Sequence, residues 1–391
     1  MDLISEGNGY WSVDVPGAGE GQKYKFWVNH HPRIDPRATE VTNSTGDGVL
    51  ISRDYPWQHG LAMPPANELV IYQMHIGTFP DRREDAINAF GAAVHDFYHL
   101  RDLGVNAIQL LPVLEFPGDH SGGYNPSHIF AVESSYGGPR GLKWFIDQAH
   151  ASGFSAFIDD DRDLSAVAAA LSSGQLGGGH RRVIYTESHD AVDGTHGKKR
   201  VPDEIAPGNA EGWHARKRSM LGAAMLMTAP GIPMIFQGQE VLEWAPFDPG
   251  RGVDWGPSGP PGRGFPFLPR SHPSEAQLGE QHPGPAGPAH QYPARGEWGQ
   301  SAGVSPMGER GAGDNVMVVI NLSHQSFSSY RIGVPHPGLW YVRLNSDSRI
   351  YSPDFSDFPG YHAHGELGST MGAPFSAAVG LGPYSCLVLS Q

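Results

Sequence analysis

Four side chains in this sequence stand where they could do chemistry. His189 and Asp190 are adjacent and directly follow an apolar run, so an imidazole and a carboxylate share one loop and could hold hydroxyl groups between them. Tyr124 sits in Gly123-Tyr124-Asn125-Pro126, a glycine-rich loop that would leave its ring exposed. An exposed aromatic ring has little rotamer entropy to lose when it covers a ligand's apolar face. Asp159 closes a third apolar run. Taken singly, each has a plainer reading: the His-Asp pair as a cap or solvated loop, the tyrosine as packing, Asp159 as a strand end. Other chemistries find no residues. Cys386 is the only cysteine, which removes intramolecular disulfides and cysteine-built zinc sites. The 20 histidines are dispersed, His30-His31 being the one adjacent pair, and no GxxxxGK[ST] loop occurs. No metal and no cofactor are expected.

These residues need a frame, and the apolar pattern supplies one from Glu68 onward. Val70–His75 reads as a buried strand, and Val105–Leu111, Phe154–Ile158, Arg182–Thr186 and Pro233–Phe236 read as further strands. Between them, Asp85–Leu103, Gly141–Ala151 and Glu211–Thr228 carry apolar residues at helical spacing, and Asp163–Leu171 could form one helix more. Strand–helix–strand repeats of this kind make right-handed units and a parallel sheet. Residues 1–67 are different: short alternating segments such as Trp11–Val15 and Lys23–Val28, punctuated by glycines, look like a β-sandwich remnant. Their tryptophans, Trp11, Trp27 and Trp57, are expected in a core rather than on a surface. The chain holds 52 Gly and 34 Pro. Much of that excess lies in residues 256–313, where 24 of 58 are Gly or Pro and no apolar period exists, so this stretch is expected to be a disordered linker. Beyond it, 314–391 reads as an antiparallel β domain, with strands at Asn315–Asn321, Leu339–Leu344 and Cys386–Leu389.

Charge narrows the partners. With 27 Lys+Arg against 41 Asp+Glu, the formal charge is −14, which argues against nucleic acid. The longest apolar stretch, Met220–Phe236, is broken by Pro230, Gly231 and Pro233 and is too short for a bilayer, so no membrane partner is expected. The first residues, MDLISEGNGYW, lack the basic head and apolar core of a secretory leader. With one cysteine, the expected setting is reducing and cytoplasmic.

In this order the motifs resemble the α-amylase family of glycoside hydrolases (glycoside hydrolase family 13), specifically its 1,4-α-glucan (glycogen) branching enzymes. VIYQMHIGTF (70–79) resembles the family's first barrel strand, and GVNAIQLLPVLEFPGDHSGGYNPSHIFAVESSYG (104–137) the second with its long substrate loop. GFSAFIDD (153–160), VIYTESHD (183–190) and APGIPMIFQGQE (229–240) are similar to the third, seventh and eighth. The resemblance implies a (β/α)8 TIM-type barrel, here incomplete and spanning 68–255, with its site on the C-terminal face of the strands. It implies retaining chemistry, in which a carboxylate attacks the anomeric carbon and an acid ~5–5.5 Å away protonates the leaving oxygen. Branching enzymes pass the glucan to a 6-hydroxyl. The partner so implied is α-glucan, as glycogen or amylose-like chains. Asp190 matches the family's transition-state stabiliser, with His189 beside it, Tyr124 the ring that stacks on the sugar, and Asp159 the third-strand carboxylate.

A length argument opposes activity. Only residues 160–189 separate Asp159 from Asp190, yet nucleophile and acid/base belong on strands four and five between them. One strand–helix–strand unit needs ~30 residues or more, and three strands with their helices about 90. The acids in the gap, Asp160, Asp161, Asp163 and Glu187, do not stand in the family's motif contexts. Three readings follow: an internally truncated branching-enzyme relative, a non-catalytic α-glucan-binding protein using Tyr124 and the tryptophans, or a partner of an intact homologue. A five-stranded fragment leaves two raw sheet edges. Poor expression or loose packing is therefore predicted, and a sharp two-state melt with a compact monomer radius would contradict it.

Overall fold

The computed structural model of the chain describes residues 1–52, 54–65, 68–80, 88–118, 120–158, 182–229, 231–255, 289–292, 301–306 and 315–391. Five strands form one parallel sheet: β1 (Ile71–Met74), β2 (Ala107–Leu110), β3 (Ser155–Ile158), β4 (Val183–Ile184) and β5 (Ile232–Phe236). Their spatial order is β3-β2-β1-β5-β4. Register is set by Ile71 pairing with both Ala107 and Met234, so alternate residues from three strands share a face. Ile71, Ala107, Ile232 and Met234 cluster on that face with Phe157. Tyr72, Met74, Ile108, Leu110 and Ile235 point the other way, into the largest core.

That core is completed by helices. α1 (Ala89–His95) and α2 (Phe97–Asp102) occupy the region expected as one helix, and they part at Asp96, whose backbone leaves the helical region (φ −98°, ψ 6°). Asn88 caps α1 by accepting the Gly91 N–H at 2.8 Å. α3 (Gly138–Ala151) lays Phe145 between Phe90 and Phe97, at ring distances of 5.7 and 5.2 Å. Each such ring buried contributes about 2–3 kcal/mol. Gly137 makes the entry to α3 possible: at φ +118° a Cβ would lie 2.6 Å from the Asn88 side chain.

The N-terminal segment is three separate antiparallel ribbons: Ile4–Gly7 with Tyr10–Ser12, Lys23–Tyr24 with Gly48–Val49, and Phe26–Val28 with His31–Arg33. The expectation that its tryptophans are core is corrected. Trp11 and Trp27 are 60 and 70% exposed, because ribbons of two to four residues have too little apolar area to enclose an indole, and Trp57, beyond the ribbons, is 50% exposed.

Eight strands make the C-terminal sheet: β6 (Ala289–Tyr292), β7 (Ser301–Pro306), β8 (Val316–Asn321), β9 (Phe327–Val334), β10 (Gly338–Asn345), β11 (Ala363–Thr370), β12 (Ala373–Leu381) and β13 (Ser385–Ser390). The order is β6-β7-β8-β13-β10-β11-β12-β9. Trp340, Val334, Val379 and Leu389 are fully enclosed in its core. β6 and β7 fall inside the stretch expected as a linker and differ from that reading, since β7 adds to β8 through backbone pairing that needs no apolar period. The rest of 256–313, and the helix expected at 163–171, lie outside the described residues.

α4 (Val201–Ile205) leads to α5 (Trp213–Thr228), which packs on the C-terminal sheet. Leu221 packs with Val318, Ile320 and the lone thiol Cys386, while Met220 and Ala223 meet Tyr351 and Phe355. Inside this seam Lys217 pairs with Asp347, both with no exposed side-chain surface, and its ammonium lies 4.3 Å from the Phe355 ring centre. Asp347 also accepts the Phe358 N–H at 2.8 Å. Burial holds the Lys217 pKa below its ordinary value, with Asp347 opposing. Breaking one side of such a pair leaves an uncompensated buried charge. Lys217→Ala is therefore predicted to cost about 3–5 kcal/mol in urea unfolding, and a loss below about 1 kcal/mol would refute that role.

Candidate active site

The C-terminal ends of β1, β2, β4 and β5 carry the polar residues. Ser188, in extended backbone after β4, caps a short 3₁₀ turn over His189–Ala191 by accepting the Ala191 N–H at 3.3 Å. The turn presents His189, nearly buried, and Asp190, whose side chain is 81% exposed. Tyr124 arrives from the loop after β2. Gly123 before it has φ +89°, and a Cβ there would stand 2.2 Å from the Pro112 carbonyl oxygen, so only glycine lets the loop approach that strand end.

Three of the four sequence-predicted residues are brought together. The rings of Tyr124 and His189 stack with centroids 5.2 Å apart and planes 13° from parallel. Tyr124 Oη lies 2.8 Å from His189 Nε2, and Asp190 Oδ1 3.3 Å from the same nitrogen. Asp159 lies outside the described residues.

Gln73, on the central strand β1, fixes this arrangement. Its Oε1 accepts the His189 backbone N–H at 3.0 Å and faces Nδ1 of the same residue at 3.2 Å. A backbone N–H can only donate, so Oε1 is the acceptor and Nδ1 carries the imidazole proton. Nε2 is then an acceptor for the Tyr124 hydroxyl. If the ring gains a second proton, Nε2–H turns donor and Asp190 is its near carboxylate.

A second network holds the Tyr124 loop from beneath. Gln237, at the end of β5, donates from Nε2 to Thr78 Oγ1 at 2.8 Å, and its Oε1 accepts the His75 N–H at 2.7 Å. The Thr78 hydroxyl lies 2.9 Å from His75 Nδ1, and His75 Nε2 lies 2.8 Å from the Ser121 carbonyl. The neutral ring thus donates to Ser121, three residues before Tyr124. Burial pushes the His75 pKa down to about 4, and the nearby His189 and His120 act the same way against the Ser121 bond.

Glu187, one of the acids in the short gap, is not available for chemistry. It is fully buried and paired with Arg200 at 2.8 Å, and it accepts the Val201 N–H at 2.7 Å. Burial raises its carboxyl pKa, with Arg200 opposing. Arg200 also donates to the Gln237 carbonyl at 3.0 Å and lies 4.7 Å from the Phe236 ring centre, which fastens the loop after β4 to β5. Asp193 accepts the Thr195 hydroxyl at 2.8 Å. Among the described residues no group of three or more His, Cys, Asp or Glu could hold a metal ion.

Sequence reading missed Gln73, His75, Thr78, Gln237 and Arg200 as members of the site. Their only signal was position: four of the five lie within or directly after strand motifs, and nothing in the sequence marked Arg200 apart from the neighbouring Lys198 and Lys199.

With this geometry, comparisons with known proteins gain meaning. Residues 309–391 match the family "Alpha amylase, C-terminal all-beta domain". Over 161 residues the chain is 30% identical to the malto-oligosyltrehalose trehalohydrolase of Saccharolobus solfataricus, which covers 40% of this chain and 28% of that protein. It is 32% identical over 169 residues to the 1,4-alpha-glucan branching enzyme GlgB of Pseudoalteromonas atlantica, covering 39% and 23%. Pullulanase from Anoxybacillus sp. LM18-11, solved with maltotetraose, shares the fold at a TM-score of 0.64 and 15% identity, over 100% of this chain and 82% of that one. Parallel sheet, terminal β domain and motifs make the chain a relative of the α-amylase family of glycoside hydrolases. Its curated relatives include both branching enzymes and trehalohydrolases, and the chain spans about a quarter of their length.

The His75 network has a pH signature. The unfolded chain takes up the imidazole proton near pH 6.5 and the native state only near 4, so stability falls as pH drops through that window. Wild-type protein is predicted to lose about 2–3 kcal/mol more than His75→Asn between pH 7 and 4.5 in urea titrations. Parallel losses in the two proteins would contradict the assignment.

Proposed function

We propose that the chain is a 1,4-α-glucan branching-enzyme-like protein that holds α-glucan at Tyr124, His189 and Asp190 and does not turn it over. One observation carries the reading. Loops from two non-adjacent strands, β2 and β4, meet at one end of a parallel sheet with an exposed ring, an imidazole and a solvent-facing carboxylate in contact. On this reading the five strands are staves one, two, three, seven and eight of the family barrel, and their order β3-β2-β1-β5-β4 supports it, since the eighth stave neighbours the first only when a barrel closes.

The ligand would be gripped in two ways. The Tyr124 ring covers the apolar face of a pyranose, and Asp190 with His189 accepts or donates to sugar hydroxyls. In an intact relative such a grip strengthens as the ring flattens toward an oxocarbenium-like state. Here the attacking and protonating acids have too few residues to be housed between Asp159 and Asp190, and Glu187 is tied to Arg200. Asp159, outside the described residues, is proposed as a further substrate-binding carboxylate by its place in the third-strand motif. The setting proposed is cytoplasmic, in α-glucan metabolism; no helix among the described residues is long and apolar enough to cross a membrane.

Exposed Trp11, Trp27 and Trp57 favour a second reading, a non-catalytic α-glucan-binding protein in which the N-terminal ribbons add contacts. Electrophoresis through glycogen-containing gels tests binding. Retardation is predicted, with Tyr124→Ala weakening it roughly three- to tenfold, and unretarded wild-type protein would remove both readings. Iodine staining of amylose is predicted to stay at background, and clear turnover would overturn the inactivity.

A further inference from the structure

A cleft of about 500 Å³, which Tyr124 does not line, lies between the turn at residues 42–45 and the hairpin formed by Leu114–Glu115 and His128–Val132. The His128 ring bonds the Ser44 carbonyl at 3.1 Å, and Ala38 and Val41 pack on Ala131, so the two walls are fixed to each other. The floor holds two buried carboxylates, Glu115 and Glu133, at 1 and 2% exposure. The rim is Asn43, Ser44, Thr45 and Ser135.

Most of the floor's acceptor capacity is already engaged. Glu133 accepts the Phe116 N–H at 3.1 Å through one oxygen and the Ser135 N–H at 2.9 Å through the other. Glu115 Oε2 accepts the Ser134 N–H at 2.8 Å. Glu115 Oε1 has only a long 3.4 Å contact to the Ser134 hydroxyl. One carboxylate oxygen is therefore left for a strong donor, too few for a cation that takes six to eight oxygen ligands. The rim complements it: the Ser44 and Ser135 hydroxyls and the Asn43 amide nitrogen make no hydrogen bond within the described residues. A single strong acceptor ringed by groups that both donate and accept suits a ligand bearing many hydroxyls, each able to do the same. Among the described residues no aromatic ring lines the cleft, so recognition would run through hydroxyl edges and not through a sugar face.

We propose that this cleft is a second carbohydrate site, binding a short saccharide by its hydroxyl edges. The choice of saccharide rests on the α-glucan reading, while the site rests on the cleft alone.

The test is a maltotriose titration of the full chain followed at resolved backbone amides, with a separate calcium chloride titration. The Phe116, Ser134 and Ser135 amides, held by the floor carboxylates, are expected to shift at millimolar maltotriose and to ignore calcium. Glu115→Gln should weaken that response about tenfold, and Ser135→Ala, which removes a hydroxyl without a protein partner, about threefold. Tyr124→Ala should leave it unchanged. Floor amides that stay still with maltotriose, or that move only with calcium, overturn the proposal. The α-glucan reading is judged separately, at the amides of Tyr124 and His189.

Discussion

The bond from the His189 backbone to Gln73 is the constraint on which the site depends. Gln73 lies on β1, the middle of five parallel strands, and its side chain projects at the end where the loops gather. One amide oxygen fixes both where His189 begins and which nitrogen of its ring carries the proton. Tyr124 is then placed against a ring that is already oriented, and Asp190 follows as the next residue. An isosteric glutamate would accept the same N–H, but its charge would favour imidazolium over the neutral ring and turn Nε2 from acceptor to donor. The neutral amide thus sets the polarity of the Tyr124–His189 pair.

A second layer keeps the first in register. Gln237 reaches from β5 to Thr78 and His75 after β1, and His75 reaches on to the loop that bears Tyr124. Arg200 ties the loop after β4 to the same Gln237 through its carbonyl. The links among Gln237, His75 and Thr78 are buried and each meets a partner, which is the condition under which a polar network rigidifies, although Arg200 keeps its Nε without an acceptor among the described residues.

Much of this was legible in the chain alone. Strands β1, β2, β3 and β5 announced themselves as apolar runs, and Tyr124, His189 and Asp190 by residue type and motif. The break at Asp96 was not legible, because Phe90, Val94, Phe97 and Leu100 keep helical spacing across it. Nor were β9, β11 and β12. Segments such as AHGELGST have little intrinsic strand preference and are held by neighbours distant in sequence. Gln73 and His75 were hidden for another reason: in a parallel strand buried on both faces, a polar residue's role depends on which loop lies over it, and periodicity carries no such information.

The seam between α5 and the C-terminal sheet has its own consequence. Cys386 sits within it, wholly enclosed, its thiol pKa pushed up to about 12 by burial alone. A thiol in that state is inert to alkylating and disulfide reagents while helix and sheet stay mated. Because no other cysteine competes, the chain carries a single-atom clock, whose rate of chemical capture measures how often helix and sheet separate.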